Sequence, residues 1–269
     1  AVAQTGSEAA LDRLPEAYSA EALASNRAAI LHCFQVSRAP ERGLALAGRG
    51  LEDKDPEVVT QALRLVAAAG PKTNSITASR VGPFLRHESC LIRRAAISAY
   101  ATLAPAKEAE SRLAPLADDP DHTVRRALAA AFGKVAQEKE SRDVLNRLLD
   151  DVSQSVRRQA SLALVECVSR DPALHEEIIE RATQNCVASN RPRRREGLWL
   201  LGQLRSDAGF PDILERARET LPSAPGKASP DLREARLVLW IVQRAKYQAA
   251  ADLLTKFFTH SDPALRVHA

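Results

Sequence analysis

The chain of 269 residues contains no methionine, and aromatic residues make up only 4% of it. No apolar run approaches the roughly 20 residues that a membrane-spanning helix requires, so this segment contains no predicted span. The four cysteines, Cys33, Cys90, Cys167 and Cys186, lack the CxxC spacing that is typical of metal sites. We therefore expect reduced cysteines in a reducing compartment such as the cytoplasm.

Motifs for common enzyme chemistry are missing as well. The sequence has no Gly-rich phosphate loop, no GxSxG elbow and no HExxH helix motif. The formal net charge of +4 is mildly basic, which permits an acidic partner without demanding one. These observations predict a protein without catalytic residues, metal or cofactor.

An interval of 32 to 39 residues separates eight equivalent positions along the chain, and seven of the eight are arginine. A period in this range is typical of a stacked array of small structural units. The positions are Arg27, Thr60, Arg93, Arg125, Arg157, Arg194, Arg233 and Arg266.

Each repeat has the pattern of two helices joined by a short turn. Helix-start signals such as Asp55-Pro56 and Asp119-Pro120 precede the second helix, where a carboxylate can cap the free amides. Small and then large apolar residues, such as Ala131-Phe132, return to one helix face after two turns. We predict an all-α fold, an α-solenoid of about eight stacked hairpins that bury their apolar faces against one another.

The domain prediction is a single array over residues 1–269. A Pro/Ser/Gly-rich insertion at 222–230 is a surface loop, either a plain connection or a functional one. The chain does not begin with methionine, and it stops at Ala269, one turn into a helix that the repeat predicts to continue. We therefore expect a segment, or soluble domain, of a longer protein.

The Asp-Pro turn followed by Val-Arg-Arg-Ala, as at Asp119-Pro120 and Val124–Ala127, resembles a HEAT repeat. The short period is similar to the bacterial HEAT-like repeats named from phycobiliprotein lyases, although most proteins that carry this repeat are not lyases. The resemblance implies a convex surface of first helices and a concave groove lined by second helices. It also implies that Arg94, Arg126 and Arg158 face that groove.

Two enzyme families built on HEAT-like repeats fit the sequence poorly. Di-iron hydroxylases carry His-Glu pairs inside their second helices, where this chain has Arg-Arg instead. HEAT-like DNA glycosylases combine a basic concave face with Trp and Asp. Trp199 and Trp240 match that pattern only loosely, because the nearby Asp207 and Asp231 lie in predicted connecting segments.

The first arginine of each repeat is predicted to be structural. It lies at the margin of the buried face, from which its planar donors can reach the acidic turn of its own or the next repeat. This predicted ladder contains Arg27, Arg93, Arg125, Arg157, Arg194, Arg233 and Arg266.

The second arginine is predicted to bind a partner, the alternative being a solvated basic face. Trp199 is either an interface anchor beside Arg195, on the same helix face, or a filler of the gap left by Gly197 and Gly202. The predicted partner-binding residues are Arg94, Arg126, Arg158, Arg191, Arg193, Arg195 and Trp199.

These residues give two functional hypotheses. The first is a non-catalytic protein-interaction scaffold that binds an acidic or extended partner along the groove. The second is a nucleic-acid-binding solenoid, with a DNA glycosylase-like enzyme as its catalytic form. Glu196 and Glu234 interrupt the basic stripe that the second arginines would form, which argues against nucleic-acid binding.

Overall fold

The computed structural model describes residues 11–71, 76–188, 190–206, 208, 210–213 and 232–245. Within these ranges all regular secondary structure is helical, and no strand occurs. Short hairpins follow one another along the chain, and within each of two compact units their second helices pack consecutively. The predicted all-α solenoid class is confirmed. The insertion at 222–230 and Arg266 lie outside the described residues, as does the side chain of Arg233.

The chain divides into two compact units, Ala1–Val144 and Leu145–Ala269. The helices of the N-terminal unit, in chain order, are α1 (Leu14–Ala20), α2 (Ala24–Gln35), α3 (Leu44–Gly50), α4 (Pro56–Ala69), α5 (Ala78–Val81), α6 (Cys90–Leu103), α7 (Ala106–Leu113) and α8 (His122–Val135). The second helices α2, α4, α6 and α8 each pack against the next. Whether the two units form one continuous array stays a prediction.

The division between the units falls within α9 (Lys139–Leu148). The later helices are α10 (Gln154–Arg170), α11 (His175–Cys186), α12 (Arg191–Leu204) and α13 (Leu232–Ala245). The second helix α12 is central to the C-terminal unit, because it contacts α10, α11 and α13.

First helices of the N-terminal unit are shorter than the sequence predicts, because proline interrupts them. Pro83 and Pro115 lie at the start of 3₁₀ segments, Gly82–Arg86 and Ala114–Asp118, that follow α5 and α7. Proline has no N–H to donate, and its ring clashes with the carbonyl four residues earlier in an α-helix. The α-helix α7 therefore ends at Leu113, and a 3₁₀ turn follows it.

One of the two predicted helix caps, Asp119, lies two residues too early. Asp55 and Asn190 do cap α4 and α12 by accepting backbone N–H groups. Asp119 instead accepts the N–H of Asp121, and Asp121 is the residue that caps α8. Asp151 likewise precedes the N-cap of α10, Ser153, by two residues. These aspartates stabilise the turn before the helix, and the N-cap position of the helix belongs to a later residue.

The predicted small-large pairs form the core of the second helices. Tyr100 is 2% exposed and Phe132 is fully buried.

In the C-terminal unit two glycines permit close approach between helices. A Cβ on Gly197 would lie 2.8 Å from the carbonyl oxygen of Ala182 in α11, and one on Gly202 would lie 2.2 Å from the Trp240 ring. Trp199 therefore does not fill the space left by these glycines, and that interpretation is wrong.

Candidate partner-binding surfaces

The first arginine of a repeat joins two turns in the N-terminal unit. Arg93 donates from Nε and Nη2 to the Asp119 carboxylate at 2.7 and 2.8 Å. Its Nη1 donates to the carbonyl oxygens of His87 and Glu88 in its own turn. Arg27 makes the same fork to Asp53, at 2.9 and 3.0 Å. Each guanidinium thus bridges its own turn and the acidic turn 26 residues later.

Three other first arginines, Arg125, Arg157 and Arg194, keep the bond to their own turn. Arg125 donates to the Asp119 carbonyl oxygen at 2.7 Å, and Arg157 to that of Asp151 at 2.6 Å. Arg194 donates to the Ala188 carbonyl oxygen and to the Glu234 carboxylate, which is at 3.0 Å. Where the repeat has Thr60, the hydroxyl donates to the Pro56 carbonyl oxygen instead.

We expect Arg93→Gln to lower the free energy of unfolding by about 2 kcal/mol, since hydrogen bonds to charged groups contribute about 1.5–3 kcal/mol each. The Asp119 side chain is only 5% exposed and would lose its cation. Arg94→Gln is the matched control one residue later and should change stability by less than about 0.5 kcal/mol. Urea unfolding followed by circular dichroism measures both variants. Equal effects would show that Arg93 has no special structural role.

The second arginine differs from the first in its surroundings. Arg94 is half-buried on α6, and Arg126 is exposed on α8. Within the described ranges neither guanidinium has a hydrogen bond or an ion pair. Four residues later the chain has the small residues Ser98 and Ala130, so neither arginine has a bulky side chain at that position of its helix face. Both charges are therefore available to a partner.

Arg158 on α10 lies over an aromatic ring. Its Cζ is 3.8 Å from the centroid of the Trp199 ring on α12. Its side chain stays 47% exposed, and Nη1 is 3.9 Å from Oε2 of the nearly buried Glu196. Trp199 itself is 8% exposed, so most of its ring is covered and not accessible to a partner. The guanidinium that stacks on Trp199 therefore comes from the preceding repeat, whereas the sequence indicated Arg195 of the same helix.

The remaining predicted binding residues on α12 are already engaged. Arg193 donates to Asn185 Oδ1 and to Asp150 Oδ2, both at 2.7 Å. Arg191 and Arg195 are half-buried, and each has an interaction of its own. The densest run of positive charge in the sequence is therefore partly neutralised within the C-terminal unit.

A family model described as HEAT repeats matches residues 79–165. This range contains Arg93, Arg94, Arg125, Arg126 and Arg158. HEAT repeats suggest a protein-interaction scaffold, and proteins of this family and fold are typically non-catalytic.

Among solved structures, the chain is similar to a designed armadillo repeat protein in complex with the peptide (KR)4. The identity is 17%, the match covers 86% of this chain and 96% of that chain, and the TM-score is 0.41. None of the curated proteins matches.

Two acidic residues of the C-terminal unit are buried beside arginines. Glu196 and Glu234, which the sequence places among the arginines, are 6% and 7% exposed and lie against Arg158 and Arg194. Burial raises the pKa of Glu196, although Arg158 and the Ser161 hydroxyl oppose that shift. The available signal for the burial of Glu196 was its position two residues after the first arginine, where other repeats have the buried Ala62 and Ala95.

A metal site requires a cluster of ligand side chains, and a membrane span requires a long apolar helix. The described part of the chain holds no group of three or more His, Cys, Asp or Glu side chains placed to bind a metal ion. None of its helices combines the length and the apolar character needed to cross a bilayer.

Proposed function

We propose that this chain is a non-catalytic interaction scaffold, and that its N-terminal unit binds an acidic, extended segment of a partner protein. The observation that carries the proposal is the contrast between neighbouring arginines. Arg93 has four hydrogen bonds to its own and the next turn, whereas Arg94, one residue later, has no partner among the described residues. Arg126 repeats the unpartnered position on α8, which packs against α6.

The spacing of these helices indicates the form of the partner. Packed helix axes lie about 8–10 Å apart, so arginines at equivalent positions of α6 and α8 have a similar separation. A polyproline II segment rises about 3.1 Å per residue with three residues per turn, which puts residues i and i+3 on one side about 9 Å apart. An extended peptide with a carboxylate at every third residue therefore matches Arg94 and Arg126.

A labelled peptide of Glu-Pro-Pro repeats tests this proposal. We expect Arg94→Glu/Arg126→Glu to weaken its binding about 30-fold, because each lost ion pair contributes on the order of 1 kcal/mol. Arg38→Glu/Arg86→Glu is the matched control, with the same change in net charge at two exposed arginines elsewhere in the N-terminal unit. Fluorescence anisotropy at about 50 mM and about 200 mM salt measures all three proteins.

Three outcomes would overturn the proposal. An equal loss of peptide affinity in the two double variants would show that the peptide responds only to the net charge of the protein. Equal affinity for a peptide of the same composition with its glutamates clustered would remove the spacing argument. Tighter binding of duplex DNA, with a steep salt dependence that Arg94→Glu/Arg126→Glu abolishes, would favour the nucleic-acid function instead.

A further inference from the structure

The Arg158 guanidinium is held by an aromatic surface rather than by hydrogen bonds. It stacks on Trp199, with 3.8 Å between Cζ and the ring centroid, and the buried ring forms its floor. Within the described ranges no hydrogen bond of Arg158 occurs. Stacking fixes the plane of a guanidinium while its N–H groups stay in that plane, free to donate.

Glu196 is an incomplete partner for this cation. The 3.9 Å between Arg158 Nη1 and Glu196 Oε2 exceeds the distance of a hydrogen bond, and the same oxygen accepts from Ser161 Oγ at 3.2 Å. Burial lowers the pKa of Arg158 and raises that of Glu196. Burial thus disfavours the charged form of both side chains. The contact with Glu196 also leaves N–H donors of the Arg158 guanidinium unused.

The paired arginines of the chain show what a completed site looks like. Arg93 and Arg194 each direct two nitrogens to one carboxylate, with the shortest distances 2.7 and 3.0 Å. Arg158 has the same donors and a fixed plane, yet it retains 47% side-chain exposure where those two retain 12% and 8%. Its N–H edge is therefore accessible to an oxyanion from outside.

An apolar side chain lies beside this cation. Leu162 follows Arg158 by one turn on the same face of α10, and it is 44% exposed. A ligand whose oxyanion meets Arg158 would place its neighbouring residue against Leu162. The combination of a cation and an apolar contact selects against a ligand that carries charge alone.

We propose that Arg158 is a docking residue for a single oxyanion, a carboxylate or phosphate on a partner polypeptide, with Leu162 contacting an adjacent apolar side chain. Two parallel N–H···O bonds of about 2.7–2.9 Å would form in the guanidinium plane. The site belongs to the C-terminal unit and does not rest on the surface proposed for the N-terminal unit.

Three labelled peptides, identical except at one residue, test the site. They carry phosphoserine, glutamate or serine immediately before a leucine. We expect the wild-type chain to bind the phosphoserine and glutamate peptides and to bind the serine peptide at least about tenfold more weakly, since charge-assisted bidentate bonds are the strong ones. The relative affinity of the first two peptides tells whether the oxyanion is a phosphate or a carboxylate.

Conservative variants separate a specific site from general attraction. Arg158→Lys keeps the charge but loses the planar fork, and it should weaken oxyanion binding about tenfold. Glu196→Gln removes the competing charge and can still accept from Ser161, so it should bind more tightly. Arg205→Gln removes an exposed guanidinium elsewhere in the C-terminal unit and should bind like the wild type. Circular dichroism confirms that each variant is folded.

Wild-type affinity in Arg158→Lys would show non-specific charge attraction and would overturn the proposal. Weaker binding in Glu196→Gln would do the same, because it would make Glu196 part of the binding group. The Arg94→Glu/Arg126→Glu variant distinguishes the two proposals. It should bind the phosphoserine peptide normally, and loss of binding there with retention in Arg158→Lys would assign the oxyanion to the N-terminal unit.

Discussion

Glu234→Leu is expected to lower the free energy of unfolding by about 3–5 kcal/mol, because it leaves a buried cation without its carboxylate. The Arg194 and Glu234 side chains are only 8% and 10% exposed. Arg194 Nε donates to Glu234 Oε1 at 3.0 Å, across the contact between α12 and α13. Urea unfolding monitored by circular dichroism measures the loss.

Two comparisons make this result interpretable. Glu52→Leu removes the acid from the exposed Arg80–Glu52 pair and should cost less than about 1 kcal/mol. Arg194→Met/Glu234→Leu removes both buried charges and should recover most of the stability that Glu234→Leu loses, since an apolar pair avoids the desolvation cost. A double variant no more stable than Glu234→Leu would mean that the loss reflects packing rather than an unpaired charge.

Gly197→Ala is expected to destabilise the chain by about 3 kcal/mol, at the upper end of the range for overpacking. The added Cβ would lie 2.8 Å from the Ala182 carbonyl oxygen and 3.0 Å from the Cys186 nitrogen. Both atoms belong to the backbone of α11, so relief requires the two helices of the hairpin to move apart. A flexible side chain could turn away, but a helix backbone cannot.

Gly48→Ala is the matched substitution in another helix. The nearest atom to its added Cβ would be Arg80 Nη1 at 3.6 Å, which is ordinary contact. Alanine favours a helix interior over glycine, so stability should stay the same or rise by up to about 1 kcal/mol. Thermal unfolding of both variants gives the comparison. A similar change in the two would show that helix propensity, and not the approach of α11, determines the effect at Gly197.

The fold was largely predictable because the repeat fixes both sides of each packing contact. Small-large pairs that recur in register, such as Ala99-Tyr100 and Ala131-Phe132, supply buried residues of second helices that pack against each other in the N-terminal unit, so one pattern specifies each of these contacts. Helix boundaries were less predictable. A proline or an aspartate near a helix end is compatible with more than one local structure. The backbone path shows that Pro115 interrupts a first helix and that Asp119 lies in the turn before the cap of a second helix.

The candidate sites were only half predictable. The sequence identifies which positions carry arginine, but the partner of each arginine depends on a carboxylate that is distant in the chain. Asp119 lies 26 residues after Arg93, and Glu234 lies 40 residues after Arg194. Trp199 was associated with Arg195 through helical spacing, whereas the ring packs under Arg158 because α10 and α12 are neighbours. Contacts between repeats have no fixed spacing when the connections differ in length.

The position of both tryptophans, each with an arginine over its ring, has a spectroscopic consequence. The only two tryptophans are Trp199 and Trp240, both in the C-terminal unit, and guanidinium carbons lie 3.8 and 5.2 Å from their ring centroids. Indole emission therefore reports on the C-terminal unit alone, while circular dichroism reports on helices throughout the chain. The unlabelled protein thus carries two optical signals, and transitions that fail to coincide would reveal units that unfold separately.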